Sequence, residues 1–223
     1  MKQVLTLRGL QRLALTACAA ALLTSTLTAC VPLLLGGAVG GGALVASDRR
    51  TSGTQLEDEG IELRALGRLK APLSERNHIN LTSYNRQVLL TGEVANALDK
   101  QQIEQIVAGV ENVRSIVNEL AVMGNSTLAQ RSSDTLVTGR VKAALIDARD
   151  LSANAFKVVT ERGTTYLMGR VTQREADRAT EMVRATPGAQ KVVRMFEIIS
   201  EQELARLLPA AAGTPTPTPA AKP

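Results

Sequence analysis

The chain has 223 residues, with 26 Lys and Arg against 21 Asp and Glu, one histidine, two cysteines and no tryptophan. Three of the cations, Lys2, Arg8 and Arg12, belong to an N-terminal leader, and their loss leaves 23 basic against 21 acidic residues, which excludes the balance of a nucleic-acid binder. His78 is the sole histidine, no free cysteine survives processing and Ser74, Ser83 and Ser133 lack a G-x-S-x-G context, so the sequence assigns no catalytic residue, metal set or non-covalent cofactor.

In chain order, the charged start leads into an apolar run from Leu13 to Leu27, closed by Leu27-Thr28-Ala29-Cys30. This is the pattern of a bacterial signal peptide, residues 1–29, ending in a lipobox, with Cys30 lipidated as the first residue of the mature protein. Leu15-Thr16-Ala17-Cys18 has the same pattern, but cleavage there leaves too short an apolar core. Thr24, Ser25, Thr26 and Thr28 weaken the run as a membrane span. Val31 follows the cysteine, where an aspartate would favour inner-membrane retention. A Gly- and Ala-rich stretch then runs to Ala46, the charged mixture Asp48-Arg49-Arg50-Thr51-Ser52-Gly53 follows, and the segment to residue 54 reads as a flexible tether. The lone mature cysteine allows no disulfide within the chain.

Two copies of one pattern follow, at 55–123 and 132–200, joined by a 124–131 linker. Each opens with apolar residues at i, i+4 and i+8 (Ile61, Ala65 and Leu69; Val137, Val141 and Leu145), behind an aspartate, Asp58 or Asp134, that suits a helix N-terminus. Strands at 79–84 and 87–93 turn at Asn85-Arg86, and their counterparts at 156–160 and 164–171 turn at Arg162-Gly163. His78 reads as a surface residue at a strand start. A second helix carries Ile103, Ile106 and Val107, or Ala176, Ala179 and Val183. A closing strand carries Val113, Val117 and Leu120, or Val192, Phe196 and Ile199. Each copy is predicted to be helix–strand–strand–helix–strand, an α+β fold with a three-stranded sheet packed by two helices. A short helix over 201–208 and a disordered Pro/Thr/Ala tail over 209–223 complete the chain.

The strand ends Leu90-Thr91-Gly92-Glu93-Val94 and Leu167-Met168-Gly169-Arg170-Val171 carry a resemblance to the BON domain. Gly109-Val110-Glu111-Asn112-Val113 with Asn118-Glu119-Leu120 extends it, and Pro187-Gly188-Ala189-Gln190-Lys191-Val192 gives a looser second version. Lipobox, Gly/Ala-rich leader, tether and two tandem BON domains together resemble the dual-BON lipoproteins of the outer membrane. That resemblance implies a non-enzymatic protein on the inner leaflet of the outer membrane, facing the periplasm, that maintains membrane integrity and gathers at the division site. It further implies contact with anionic phospholipid such as phosphatidylglycerol through the first helix of the second domain, expected here over 134–146. The residues it points to are Leu136, Gly139, Arg140 and Ala143. Leu136 stands where a family relative has tryptophan, so it keeps apolar contact but lacks an indole's polar edge.

Charge is divided unevenly. The first copy has seven basic and ten acidic residues, the second eleven and eight, so the basic domain is the one expected to meet anionic lipid. Several acyl chains on Cys30 anchor the protein by themselves, leaving a helix contact to select lipid or orient the domain. The alternative expectation is an adaptor for envelope proteins, such as an assembly machine or a cell-wall amidase regulator, without direct lipid reading.

Overall fold

The computed structural model describes residues 48–69 and 73–207. The expectations for the leader, Cys30, residues 31–47 and the 209–223 tail lie outside them. In the first domain, α1 (Ser52–Arg68) starts where the Thr51 side chain accepts from the Thr54 amide, and it buries Ile61 and Ala65. A short α2 (Leu73–Arg76) leads to β1 (His78–Tyr84), which pairs antiparallel with β2 (Gln87–Val94). The chain crosses through α3 (Ala97–Ala108), capped by Asn96, and returns parallel to β2 as β3 (Ser115–Asn118) and β4 (Ala121–Val122). The closing strand is thus two pieces, interrupted where the Asn118 side chain accepts from the Leu120 amide and Leu120 turns into the core.

The second domain repeats the plan. Its α4 (Leu128–Asp147) is followed by β5 (Phe156–Glu161), β6 (Thr164–Val171), α5 (Gln173–Ala185), β7 (Lys191–Ile198) and a final α6 (Glu201–Leu207). The sheet order is β5-β6-β7, with β5–β6 antiparallel and β6–β7 parallel. Helix α4 takes in the end of the expected linker, because the Thr127–Gln130 capping box starts it at Leu128, four residues before Ser132. It also extends the helix expected over 134–146 at its N-terminal end.

Asp58 and Asp134 do not serve the helix N-termini. Both lie nearly two turns inside their helices, are buried, and face the hairpin turn of their own domain. Asp58 accepts from the amides of Asn85 (2.8 Å) and Arg86 (2.7 Å) and from the Ser83 hydroxyl (2.7 Å). Asp134 accepts from the amides of Arg162 (2.8 Å) and Gly163 (2.9 Å). Both turns have positive φ at both central residues, 49° and 67° in one and 53° and 71° in the other, the type I′ geometry that suits a two-residue hairpin. Three of these four residues are not glycine, and the aspartate bonds offset their strain.

The shared strand-end glycines have a steric cause. A Cβ on Gly169 would sit 2.5 Å from the Ala155 carbonyl oxygen, and one on Gly92 would run into the His78 carbonyl.

Helices cover one face of each sheet, around Ile61, Val88, Leu90 and Ile103 in one domain and Val141, Leu167, Ala179 and Val183 in the other. The opposite faces meet each other. Tyr84 and Leu89 pack with Tyr166, Met168 and Met195 in a third core, bordered by Val117, Val159 and Val193. Val117 therefore points into this shared layer, and its neighbour Ile116 packs toward α1 and α3. The Tyr84 hydroxyl, which accepts from the Arg170 amide at 3.3 Å, crosses the same boundary.

The tether also ends sooner than its composition suggests. Arg49 is only 6 % exposed and forks onto Glu175 with two 2.7 Å bonds, while donating to the Arg170 carbonyl at 2.8 Å. Arg50 turns the other way, onto Asp58 at 2.7 Å and over the Tyr84 ring at 4.3 Å. Adjacent arginines thus fasten the incoming chain to both domains, immediately before α1.

Candidate functional site: the outer face of the fourth helix

Four residues were predicted to meet lipid, and α4 presents all four to solvent. Val137, Val141 and Leu145 line its buried side, while Leu136, Gly139, Arg140 and Ala143 are exposed. Leu136 is 61 % exposed, and nothing lies within 4 Å of where a Cβ on Gly139 would be. Gly139 and Ala143 give a low-relief surface over which the leucine side chain stands out.

Helical spacing adds two residues that sequence reasoning missed. Leu128 and Ile146 are 80 % and 70 % exposed, and at 3.6 residues per turn they fall on the same stripe as Leu136, Gly139 and Ala143. Leu128 was hidden because the helix was expected to begin at 134; its signal was the Thr127-x-x-Gln130 capping pattern. Ile146 was read only as the helix end. Arg140 flanks the stripe on one side and Lys142 on the other, and neither has an ion-pair partner among the described residues. Arg140 instead donates to the Pro187 carbonyl at 3.3 Å, which holds the guanidinium beside α4. Gly188, with φ of 98°, lets that loop close onto Val137.

Next to Arg140 runs a groove of about 390 Å³, lined by Gln130, Ser133, Val137, Arg140, Arg162 and Gln190 among others. Its rim offers guanidinium and amide donors, while Asp134 at its floor is already engaged by the hairpin turn. The arrangement is an apolar ridge beside a donor-lined cleft, which suits a ligand with an anionic head and apolar tails.

His78 is not the surface residue expected. It is half-buried opposite its register partner Glu93, with Nδ1 2.9 Å from the Glu93 carboxylate and 3.4 Å from the Ser126 hydroxyl. Glu93 is fully buried. Burial pushes its carboxyl upward, but hydrogen bonds from Ser126, His78 and Arg162 outweigh this and leave it below the ordinary carboxylate range. No described helix is long and apolar enough to cross a membrane.

Two copies of a helix-packed sheet, each with a glycine at the strand end where β1 or the turn before β5 crosses close by, define the class. The BON domain model matches residues 57–124 and 133–200, and the chain belongs to the BON-domain family. Among curated relatives, the outer membrane lipoprotein DolP of Haemophilus influenzae is 35 % identical over 166 residues, covering 72 % of this chain and 86 % of its own. The 21 kDa hemolysin of Actinobacillus pleuropneumoniae is 32 % identical, covering 68 % of this chain and 79 % of its own. The osmotically-inducible protein Y of Escherichia coli is 26 % identical, covering 68 % and 77 %.

Proposed function

We propose that this chain is a non-enzymatic outer-membrane lipoprotein, anchored through acylated Cys30 and facing the periplasm, whose second BON domain contacts anionic phospholipid such as phosphatidylglycerol through α4. In this role it supports outer-membrane integrity at the division site. The observation that carries the reading is the exposed stripe Leu128, Leu136, Gly139, Ala143 and Ile146, flanked by Arg140 and Lys142 without ion-pair partners among the described residues. A polar surface helix has no structural need for three exposed large aliphatics in one line. Each flanking cation near an anionic leaflet adds about 1 kcal/mol, screened by salt. Acyl chains hold the protein on the membrane, and the α4 contact chooses lipid and orientation.

Co-sedimentation of the lipid-free mature chain (Cys30→Ser) with vesicles containing or lacking phosphatidylglycerol tests this. Binding to the anionic vesicles, weakened in both Leu136→Glu and Arg140→Glu, supports the reading; no binding at low salt refutes it. The adaptor reading has one observation of its own: α1 exposes Leu56, Leu63 and Leu66 along the acidic domain. Lipid-independent capture of an envelope protein, lost in Leu63→Glu and kept in Leu136→Glu, would favour it.

A further inference from the structure

The junction between the two domains holds a second polar cluster that the lipid reading does not use. His78 on β1 and Glu93 on β2 face each other across the hairpin, and Glu161 at the end of β5 reaches them from the other domain. One ligand atom from each of the three lies within 4.8 Å of the other two. These residues are 15 and 68 positions apart in sequence, so no spacing motif could reveal them.

The charges around this cluster are incompletely balanced. Glu93 accepts from the Ser126 amide at 3.0 Å and meets the Arg162 guanidinium at 3.3 Å. Glu161 is only 7 % exposed, yet its polar partner among the described residues is the neutral Asn80 amide at 2.7 Å, and no cation pairs with it. A buried carboxylate pointing at a second carboxylate and an imidazole lacks a positive charge.

We propose that His78, Glu93 and Glu161 form a site for a divalent first-row transition metal, represented by Zn²⁺, that ties the two domains together. One imidazole and two carboxylates are a donor set that zinc accepts, at about 2.0–2.2 Å per ligand. Tetrahedral ligands at that radius are about 3.4 Å apart, so the cluster, whose ligand atoms lie within 4.8 Å of one another, must contract by up to about 1.4 Å. Side-chain rotation would supply that movement, and Arg162, with 34 % of its side chain exposed, has solvent to turn toward on leaving Glu93. Ser126 stays as the outer support, orienting Glu93 through its amide and lying beside the imidazole. Ligands from both domains make the metal a clasp at the edge of the shared core.

The test is calorimetric titration of Zn²⁺ into the lipid-free mature chain after chelator treatment, with Mg²⁺ as comparator; Cys30→Ser also removes the thiol that would compete for metal. One saturable Zn²⁺ site per chain and no Mg²⁺ uptake are expected. Glu161→Gln and His78→Gln each weaken zinc by about tenfold or more. Arg162→Gln, which removes the competing cation, binds as tightly or more tightly. Absence of saturable uptake by the unmutated domains overturns the proposal, as does equal affinity in Glu161→Gln and His78→Gln. If those two variants fail to fold by circular dichroism, Arg162→Gln decides: weaker binding than its parent would make the guanidinium part of the site and contradict the assignment.

Discussion

Replacing Arg49 by alanine removes the fastening of the tether to the second domain, and its cost can be worked from the contacts. The guanidinium gives two 2.7 Å bonds to Glu175 and one of 2.8 Å to the Arg170 carbonyl, in a pair whose side chains are both 4 % exposed. Breaking a buried ion pair from one side costs about 3–5 kcal/mol because the remaining charge stays buried. Glu175 is not wholly abandoned, since it also accepts from the Thr172 amide at 2.9 Å in the capping box of α5. Arg49 itself leaves Nε buried without a partner, a cost the alanine relieves. Both corrections place the effect at the low end, about 3 kcal/mol. For a folded unit of this size that lowers Tm by about 6–12 °C. Thermal unfolding of the lipid-free chain by circular dichroism reads it, and Glu175→Gln supplies the other corner of a double-mutant cycle. A shift below about 2 °C for Arg49→Ala would show that the tether is not fastened there, and the docking argument fails.

The other predictions concern the same framework. Asp134→Ala strands two turn amides and should cost about 2–4 kcal/mol by denaturant titration; Asp58→Ala should cost more, because the Ser83 hydroxyl loses its acceptor and Arg50 is left with Asp48 alone. Gly169→Ala places a methyl group 2.5 Å from the Ala155 carbonyl oxygen and should destabilise by about 1–3 kcal/mol despite adding only one carbon. The Arg76 guanidinium, with Asn77 and Asn96, holds Asp99 down at about 2, below its ordinary value of about 3.9. Its contribution to stability is therefore complete above about pH 4 and is lost as pH falls through about 2, so Asp99→Asn should lower Tm at pH 7 and converge on the parent toward pH 2.

Much of this fold is legible in the sequence because period and turn chemistry agree. Ile61, Ala65 and Leu69 repeat at helical spacing, and Asn85-Arg86 and Arg162-Gly163 separate apolar runs by two residues, which leaves little choice but helix and hairpin. The shared core was less legible. Val88-Leu89-Leu90 and Tyr166-Leu167-Met168 are apolar on both strand faces, a sign that both are covered, but nothing in a period says that the cover is the other domain. Asp58 and Asp134 were misread because an aspartate near a helix start can serve its own amides or a neighbouring turn, and only tertiary contact separates the two. Arg49 and Arg50 sit in a short charged segment directly after a Gly- and Ala-rich stretch that argues for a tether, and Glu175 and Asp58, which they fasten to, belong to later elements. For the candidate site, the family resemblance points to the helix and its buried stripe leaves Leu136, Gly139, Arg140 and Ala143 on the free face, while Leu128 waits on the capping box and Ile146 on the outer face of the helix.

The most direct test of the central claim exploits the absence of tryptophan from the chain. Leu136→Trp places a single indole on the outer stripe of α4, where its emission reports the polarity it meets. With vesicles containing phosphatidylglycerol the account predicts a blue-shifted emission, quenched by brominated acyl chains and weakened by salt, with little change on zwitterionic vesicles. Emission that stays at its aqueous position while the protein binds the vesicles would contradict it, because lipid would then be held by some surface other than α4.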